Sequence, residues 1–333
     1  MILVTGGLGF IGSHTARALL DLGESCVLVQ RRPPAPPPAF LADGRGAARV
    51  HVEQADLADA DALGRVAARH RVTGVIHLAP SAPWPPGAPA PVAAARDALA
   101  GLLNVLQTAA ERQVSRVVVA STIGVYAGSP GATGAPSTTG TTEPLRESQP
   151  LAMGAGHVIP TFKKIAELLA GHLGEAAGVE VVSARIAGVW GPLGRAASPF
   201  FALPQLVHAA ARGGTPDLSA LRTPPRAAQG ADLIHAADCG RALALLQRAP
   251  RLGHRTYNVA SGRITTYAEI LDVLARLAPE ARLGLPPGRD PAAGPDVRLD
   301  VTRLREDTGY APAYDTAGAL ADYLAWLRAG NPR

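Results

Sequence analysis

Three groups of residues in this 333-residue chain have types and spacings that could do chemistry. The first is Gly6, Gly9 and Gly12 in the run Thr5-Gly6-Gly7-Leu8-Gly9-Phe10-Ile11-Gly12. Glycines so placed between a strand and a helix let the backbone approach a pyrophosphate, which then sits at the positive end of the helix beginning near Phe10. The second is Gln30-Arg31-Arg32, at the end of the next apolar run, where two guanidiniums can grip a phosphate and no carboxylate repels it. The third is the stretch 157–167, from His157 through Ile159, Pro160, Lys163 and Lys164 to Glu167. Of 32 basic residues 30 are arginines, and these adjacent lysines are the two that are not. In a composition that uses arginine for plain surface charge, they mark a place where an ammonium is needed.

The elements that must position these groups alternate. Residues 2–5 form a β-branched apolar run, the glycine turn follows, and Ala16, Leu19 and Leu20 give a helical pattern that ends near Gly23. With a strand at 26–29 this makes a βαβ unit of about 30 residues, the context that gives the glycine motif its weight. Further strands are expected at 49–54, 72–78, 116–120 and 179–184, with helices at 59–70, 92–113 and 161–173. Proline-rich loops are expected at 33–38 and 80–91, and a Gly, Ser, Thr and Pro rich loop at 128–140, beside whatever Thr122 faces. The alternation predicts an α/β fold, a doubly wound parallel sheet of Rossmann type. Residues 1–187 and 229–260 form its dinucleotide domain, and 188–228 with 261–330 a smaller C-terminal substrate-binding lobe. The last helix, 316–328, presents Ala317, Leu320, Tyr323, Leu324 and Leu327 as a packing face.

Composition excludes several classes. Charged residues are 18% and hydrophobic ones 47%, too apolar for a disordered chain. The net charge of +5 comes from scattered arginines without basic blocks, which excludes nucleic acid as the main partner. Cys26 and Cys239 have neither a metal-ligand spacing nor a disulfide framework, so no metal is expected and a reducing cytoplasm fits. No secretion leader is expected at Met1, and no apolar run reaches the roughly 18 residues of a membrane span.

Taken in order, the motifs resemble the extended short-chain dehydrogenase/reductase family, the NAD(P)-dependent epimerases and dehydratases, over nearly the whole chain. The run from Thr5 to Gly12 is similar to its cofactor loop, Asp56-Leu57 to its adenine-contacting pair, and the run from Val75 to Ala79, with Leu78, to its fourth strand. Ser121-Thr122-Ile123-Gly124-Val125-Tyr126 is similar to its serine/threonine motif. The segment Arg185-Ile186-Ala187-Gly188-Val189-Trp190-Gly191-Pro192 is similar to the one that closes over nicotinamide. Later come Asp232-Leu233-Ile234-His235, Tyr257-Asn258-Val259 and Gly309-Tyr310-Ala311-Pro312.

The resemblance implies a small-molecule substrate, a nicotinamide cofactor and a Tyr-x-x-x-Lys pair, four residues apart so that both side chains share one helix face. There the lysine depresses the phenol pKa and the tyrosine exchanges a proton with substrate. The family's Lys-x-x-x-Glu spacing places the lysine at Lys163, given Glu167, and the tyrosine position is then Ile159. Reading Lys164 as the lysine gives Pro160, and there is no tyrosine between Tyr126 and Tyr257. Thr122 would still hold a substrate oxygen and Lys163 the nicotinamide ribose, with Lys164 facing solvent. Candidates for the missing acid are His157, Tyr126, Glu143, a bound water and the substrate itself.

Two more departures weaken a sugar-nucleotide substrate in particular: Ala231 and Gly188 stand where the family has a diphosphate-contacting Arg and an Asn. Arg226, Arg289 and Arg298 could supply phosphate contacts instead. Gln30, Arg31 and Arg32 favour NADP, with NAD as the alternative. The expected activity is a diverged, tyrosine-independent enzyme acting on a small biosynthetic metabolite or sugar derivative. The alternatives are a non-redox isomerase, lyase or cyclase, and a catalytically silent NADP-binding protein. A homodimer is possible through helices 92–113 and 161–173, by way of Leu102, Leu106, Leu168 and Leu169, which equally suit an internal core.

Overall fold

A computed structural model describes residues 1–33, 36–41, 44–80, 90–129, 132, 143–154, 156–221, 223–331 and 333. Of the three expected loops, 33–38, 80–91 and 128–140, residues 34–35, 81–89, 130–131 and 133–140 lie outside the described residues.

The first half alternates strand and helix: β1 (Ile2–Thr5), α1 (Phe10–Asp21), β2 (Cys26–Gln30), β3 (Val50–Gln54), α2 (Ala60–Arg69), β4 (Gly74–His77), α3 (Pro91–Glu111), β5 (Arg116–Thr122), α4 (Val158–Ala177) and β6 (Glu180–Ile186). The second half contains β7 (Gly188–Trp190), α5 (Leu203–Arg212), β8 (Gly230–Ala231), β9 (Leu233–His235), α6 (Ala236–Arg248), β10 (Thr256–Val259), β11 (Thr265–Thr266), α7 (Tyr267–Leu277), α8 (Thr302–Thr308) and α9 (Thr316–Arg328). Seven strands form one parallel sheet in the order β10-β6-β5-β4-β1-β2-β3. The chain leaves β1 in one direction toward β2 and returns on its other side at β4, so a crevice opens at the carboxyl ends of β1 and β4.

Burial on both faces explains why β1, β2 and β4 to β6 read as largely apolar runs, whereas the outermost strand β3, Val-His-Val-Glu-Gln, is partly exposed. On one face α1 and α6 pack with Leu19, Leu28, Leu243 and Leu246. Their backbones nearly touch: a Cβ on Gly240 would lie 2.5 Å from the His14 carbonyl carbon. On the other face α2, α3 and α4 bury Leu63, Leu102, Leu106 and Ala170. Leu102 and Leu106 are therefore core, and the exposed apolar residues of α3 and α4 include Leu103, Ile165 and Leu168. A third cluster joins α5, α7 and α9 through Leu206, Ile270, Leu320 and Tyr323. In α9 the buried stripe uses Ala319, with Ala317 exposed. Leu299, Val301, Leu304 and Tyr310 pack with the sheet rather than with this third cluster. Among the described residues no helix is long and apolar enough to cross a membrane.

Candidate active site

The glycine turn is built by backbone crowding. Gly6 has φ 68°, a left-handed conformation that favours glycine. A Cβ on Gly12 would lie 2.2 Å from the Gly6 carbonyl oxygen, so only glycine lets α1 begin this close to the turn. Gly9 caps α1 with no side-chain acceptor, and the first turn, with Phe10 and Ile11, carries no acid. Its amides and the positive end of the helix lie at the crevice. Behind the turn, Thr5 Oγ accepts hydrogen bonds from the amides of Leu78 and Ala79, each at 3.2 Å, and joins the ends of β1 and β4.

At the adenosine end, the Gln30 amide donates to the Pro33 carbonyl at 2.8 Å and the Gln54 amide to the Arg31 carbonyl at 3.2 Å. The exposed guanidiniums of Arg31 and Arg32 form no ion pair among the described residues. Asp56 is exposed and caps its own turn through Ala58 N, while Leu57 packs over Gly101 and is held at its carbonyl by Asn104. The open glycine cradle and the uncapped helix start together fit a dinucleotide.

At the other end, β4, β5 and α4 converge. Thr122 ends β5 with its hydroxyl accepting Gly124 N at 3.2 Å, which leaves its proton for another acceptor. Ile186 lies beside it across the β5–β6 ladder, and Val189 follows on β7. The first turn of α4 abuts this point, with Pro160 Cβ 3.5 Å from where a Gly124 Cβ would be. Lys163, partly buried one turn further on, donates to the Ala120 carbonyl at 2.7 Å. Burial lowers its pKa to about 8, against the pull of Glu167. Ile159, four residues earlier on the same face, offers hydrocarbon.

His77, at the end of β4, was visible in the sequence only as part of a strand. Thr5 Oγ, already accepting two amides, gives its proton to His77 Nδ1 at 2.8 Å, so Nε2 carries the ring proton. That Nε2 is buried without a hydrogen-bond partner among the described residues. Burial and the nearby Lys163 charge push the His77 pKa down to about 3, so the ring is neutral at physiological pH.

The structure separates the remaining acid candidates. Tyr126 is 1% exposed, donates to Asn258 Oδ1 at 2.8 Å and accepts from Arg185 at 3.1 Å. Both sides of its hydroxyl are committed to the interior, and burial raises its pKa. Arg185 is paired with Glu167 at 2.8 Å, and Glu167 also accepts from Ser121, so Tyr126 belongs to a buried polar network behind the site. Glu143 is exposed. His157 caps α4: its Nδ1 accepts Ile159 N at 3.3 Å, and its ring meets Phe200 edge-on at 6.2 Å.

Lys164 corrects the expectation of a solvent-facing side chain. It is 9% exposed, and its ammonium donates to the carbonyls of Ala152 and, at 3.1 Å, Gly154. It ties the segment before α4 to the helix. Two of the three arginines considered for phosphate are also engaged: Arg289 forks onto Asp296 at 2.7 and 3.1 Å, and Arg226 donates to the Pro287 carbonyl at 3.1 Å.

Comparison with known proteins agrees with this geometry. The model of the NAD dependent epimerase/dehydratase family matches residues 2–260. A UDP-glucose 4-epimerase of Azospirillum brasilense is 29% identical, covering 98% of this chain and 92% of its own. A dTDP-glucose 4,6-dehydratase of an Actinoplanes species is 27% identical, covering 99% and 98%. Among solved structures, a UDP-N-acetylglucosamine 4-epimerase from Methanobrevibacter ruminantium superposes with a TM-score of 0.77 at 21% identity, covering 99% and 98% of the two chains. The cradle, the strand order and the family match over more than three quarters of the sequence lead to one conclusion: this chain belongs to the NAD-dependent epimerase/dehydratase family.

Proposed function

We propose that this protein is an NADP(H)-dependent enzyme of that family, acting on a small metabolite or sugar derivative with Lys163, instead of a tyrosine, moving the proton. The observation that carries this reading is that Lys163 reaches Ala120 on β5, the strand that Thr122 ends, with Ile159 in the helix position one turn before the lysine. Nicotinamide bound in the crevice would supply or accept hydride. Thr122 orients the substrate oxygen with its uncommitted proton. Lys163 holds the cofactor ribose and, as an ammonium whose pKa lies near neutrality, gives its proton to that oxygen and regains one from water. Arg31 and Arg32 would pair with the 2′-phosphate. The relatives named above carry the names of nucleotide-sugar enzymes, and the near full-length match to them supports a chemistry of the same general kind.

The test begins with calorimetry. NADP is expected to bind ~10-fold or more tighter than NAD, and Arg31→Ala with Arg32→Ala should erase the difference. Tighter binding of NAD would defeat the cofactor assignment. Turnover against a panel of carbonyls and alcohols should vanish in Thr122→Val and in Lys163→Met, and reduction should slow as pH rises through about 8. If wild type is inert and Ile159→Tyr creates turnover, the native protein is a non-redox relative.

A further inference from the structure

Lys164 is the second of two lysines in a chain that otherwise carries its positive side chains as 30 arginines, and the proposed chemistry leaves it without a task. It shares a buried face of α4 with Pro160, one turn earlier, and that face meets the short turn Ile123–Tyr126 that follows Thr122. From there its ammonium donates to the carbonyls of Ala152 and Gly154. The amide of Ala152 is engaged too: it donates to Ser129 Oγ at 2.8 Å, and Ser129 N donates to the Tyr126 carbonyl at 2.9 Å. Ser129 is buried, and a Cβ on Gly128 would lie 3.4 Å from Ala152 Cβ, so the segment packs against the end of that turn. Ala152 therefore joins two arms of the site through its backbone, its carbonyl held by the helix of Lys163 and its amide by the turn of Thr122. An ammonium suits this place, because it is a compact donor that can aim separate protons at two carbonyls two residues apart. A guanidinium spreads its donors over a plane shaped for carboxylates and phosphates.

We propose that Lys164 is a positioning residue for the reaction centre: through the backbone of Ala152 it fixes the helix that carries Lys163 against the turn that follows Thr122. The inference rests on the reading of Thr122 and Lys163 as the groups that meet the substrate oxygen. Lys164 acts through Lys163 and exchanges no proton itself. Burial is what lowers the Lys163 pKa, so releasing the first turns of α4 admits water to its ammonium and moves that pKa back up toward its ordinary value. Misplacing one reacting group by about 1 Å costs ~100-fold in rate.

The experiment uses the full chain labelled with [ε-¹³C]lysine and follows its two lysine signals against pH. Lys163→Met removes one signal and Lys164→Met the other, which assigns both. The Lys163 midpoint is expected at about 8 in wild type and roughly one pH unit or more higher in Lys164→Met. Ser129→Ala breaks the other half of the bridge without changing any charge, and it carries the test should Lys164→Met fail to fold. It should raise the midpoint as far, and the double variant should go no further, because the two side chains are links in one bridge. Glu167 and His77, the charged and titratable neighbours of Lys163, are intact throughout. Turnover of a carbonyl from the panel should fall ~10- to 100-fold in kcat in both single variants, with NADP affinity within ~3-fold of wild type. A Lys163 midpoint unmoved in Lys164→Met overturns the proposal. So does a shift in Lys164→Met that is absent from Ser129→Ala, since that is the loss of a neighbouring charge and not of position. An inert wild type counts against the proposed function instead, because the Lys163 midpoint is read without turnover.

Discussion

Replacing Lys163 by methionine should stabilise the free protein at neutral pH while weakening its hold on the cofactor. The lysine pKa falls from 10.5 to about 8 because burial penalises its charge more than Glu167 supports it. At 1.36 kcal/mol per unit, keeping the ammonium charged in the fold costs about 3 kcal/mol at pH 7. Methionine fills similar space without that cost but leaves the Ala120 carbonyl without its donor, a loss of about 1 kcal/mol. The variant should therefore gain about 2 kcal/mol at pH 7. Between pH 8 and 10.5 the unfolded chain binds more protons at this position than the folded one, so wild-type stability rises with pH relative to the variant. By pH 10.5 the advantage should have reversed to a deficit of about 1 kcal/mol. Urea unfolding at pH 7, 9 and 10.5 measures the difference, and calorimetry should show NADP affinity falling ~10- to 100-fold through loss of a charged hydrogen bond to ribose. With only two lysines, reductive ¹³C-methylation gives a spectrum simple enough to follow the Lys163 titration directly. A variant less stable than wild type at pH 7, or a difference flat across the pH range, would refute the reasoning.

Three further perturbations follow from the packing. Gly12→Ala sets a Cβ against the backbone of Gly6 and Gly7, so NADP affinity should drop ~100-fold or more; wild-type affinity would show that the turn can move aside. Tyr126→Phe should cost about 1–3 kcal/mol in urea unfolding, by stranding Asn258 and Arg185, and should change NADP affinity less than twofold. A tenfold fall in affinity would put Tyr126 in the site after all. Leu168 is 70% exposed on α4 beside Ile165, and sedimentation is expected to give a dimer that Leu168→Glu splits; a monomeric wild type removes that expectation.

The glycine cradle and the alternation of strands and helices are legible in the sequence because each depends on local rules: turn crowding at Gly6 and Gly12, and apolar runs where a strand is covered on both faces. What is not legible depends on partners without a pattern. The spacing to Glu167 tells Lys163 from Lys164 but not what either binds: one reaches a strand carbonyl at Ala120 and the other two loop carbonyls at Ala152 and Gly154. No spacing announces a carbonyl as an acceptor. α3 is apolar over so much of its surface that the sequence does not choose between Leu102 and Leu103, and only the sheet beneath it does. His77 reads as one more strand residue until Thr5, 72 positions away, determines which of its nitrogens carries the proton.

The position of β10 bears on how the protein is made. It covers the outer edge of β6, but 69 residues separate Ile186 from Thr256. At ribosomal speeds of about 5–20 residues per second, the nascent chain carries an unpaired apolar edge for roughly 3–14 s. Synthesis, more than the finished fold, is when this protein most needs protection from aggregation. Slower initiation or a co-translational chaperone should raise its soluble yield, and a stop codon placed before Thr256 should leave the product insoluble.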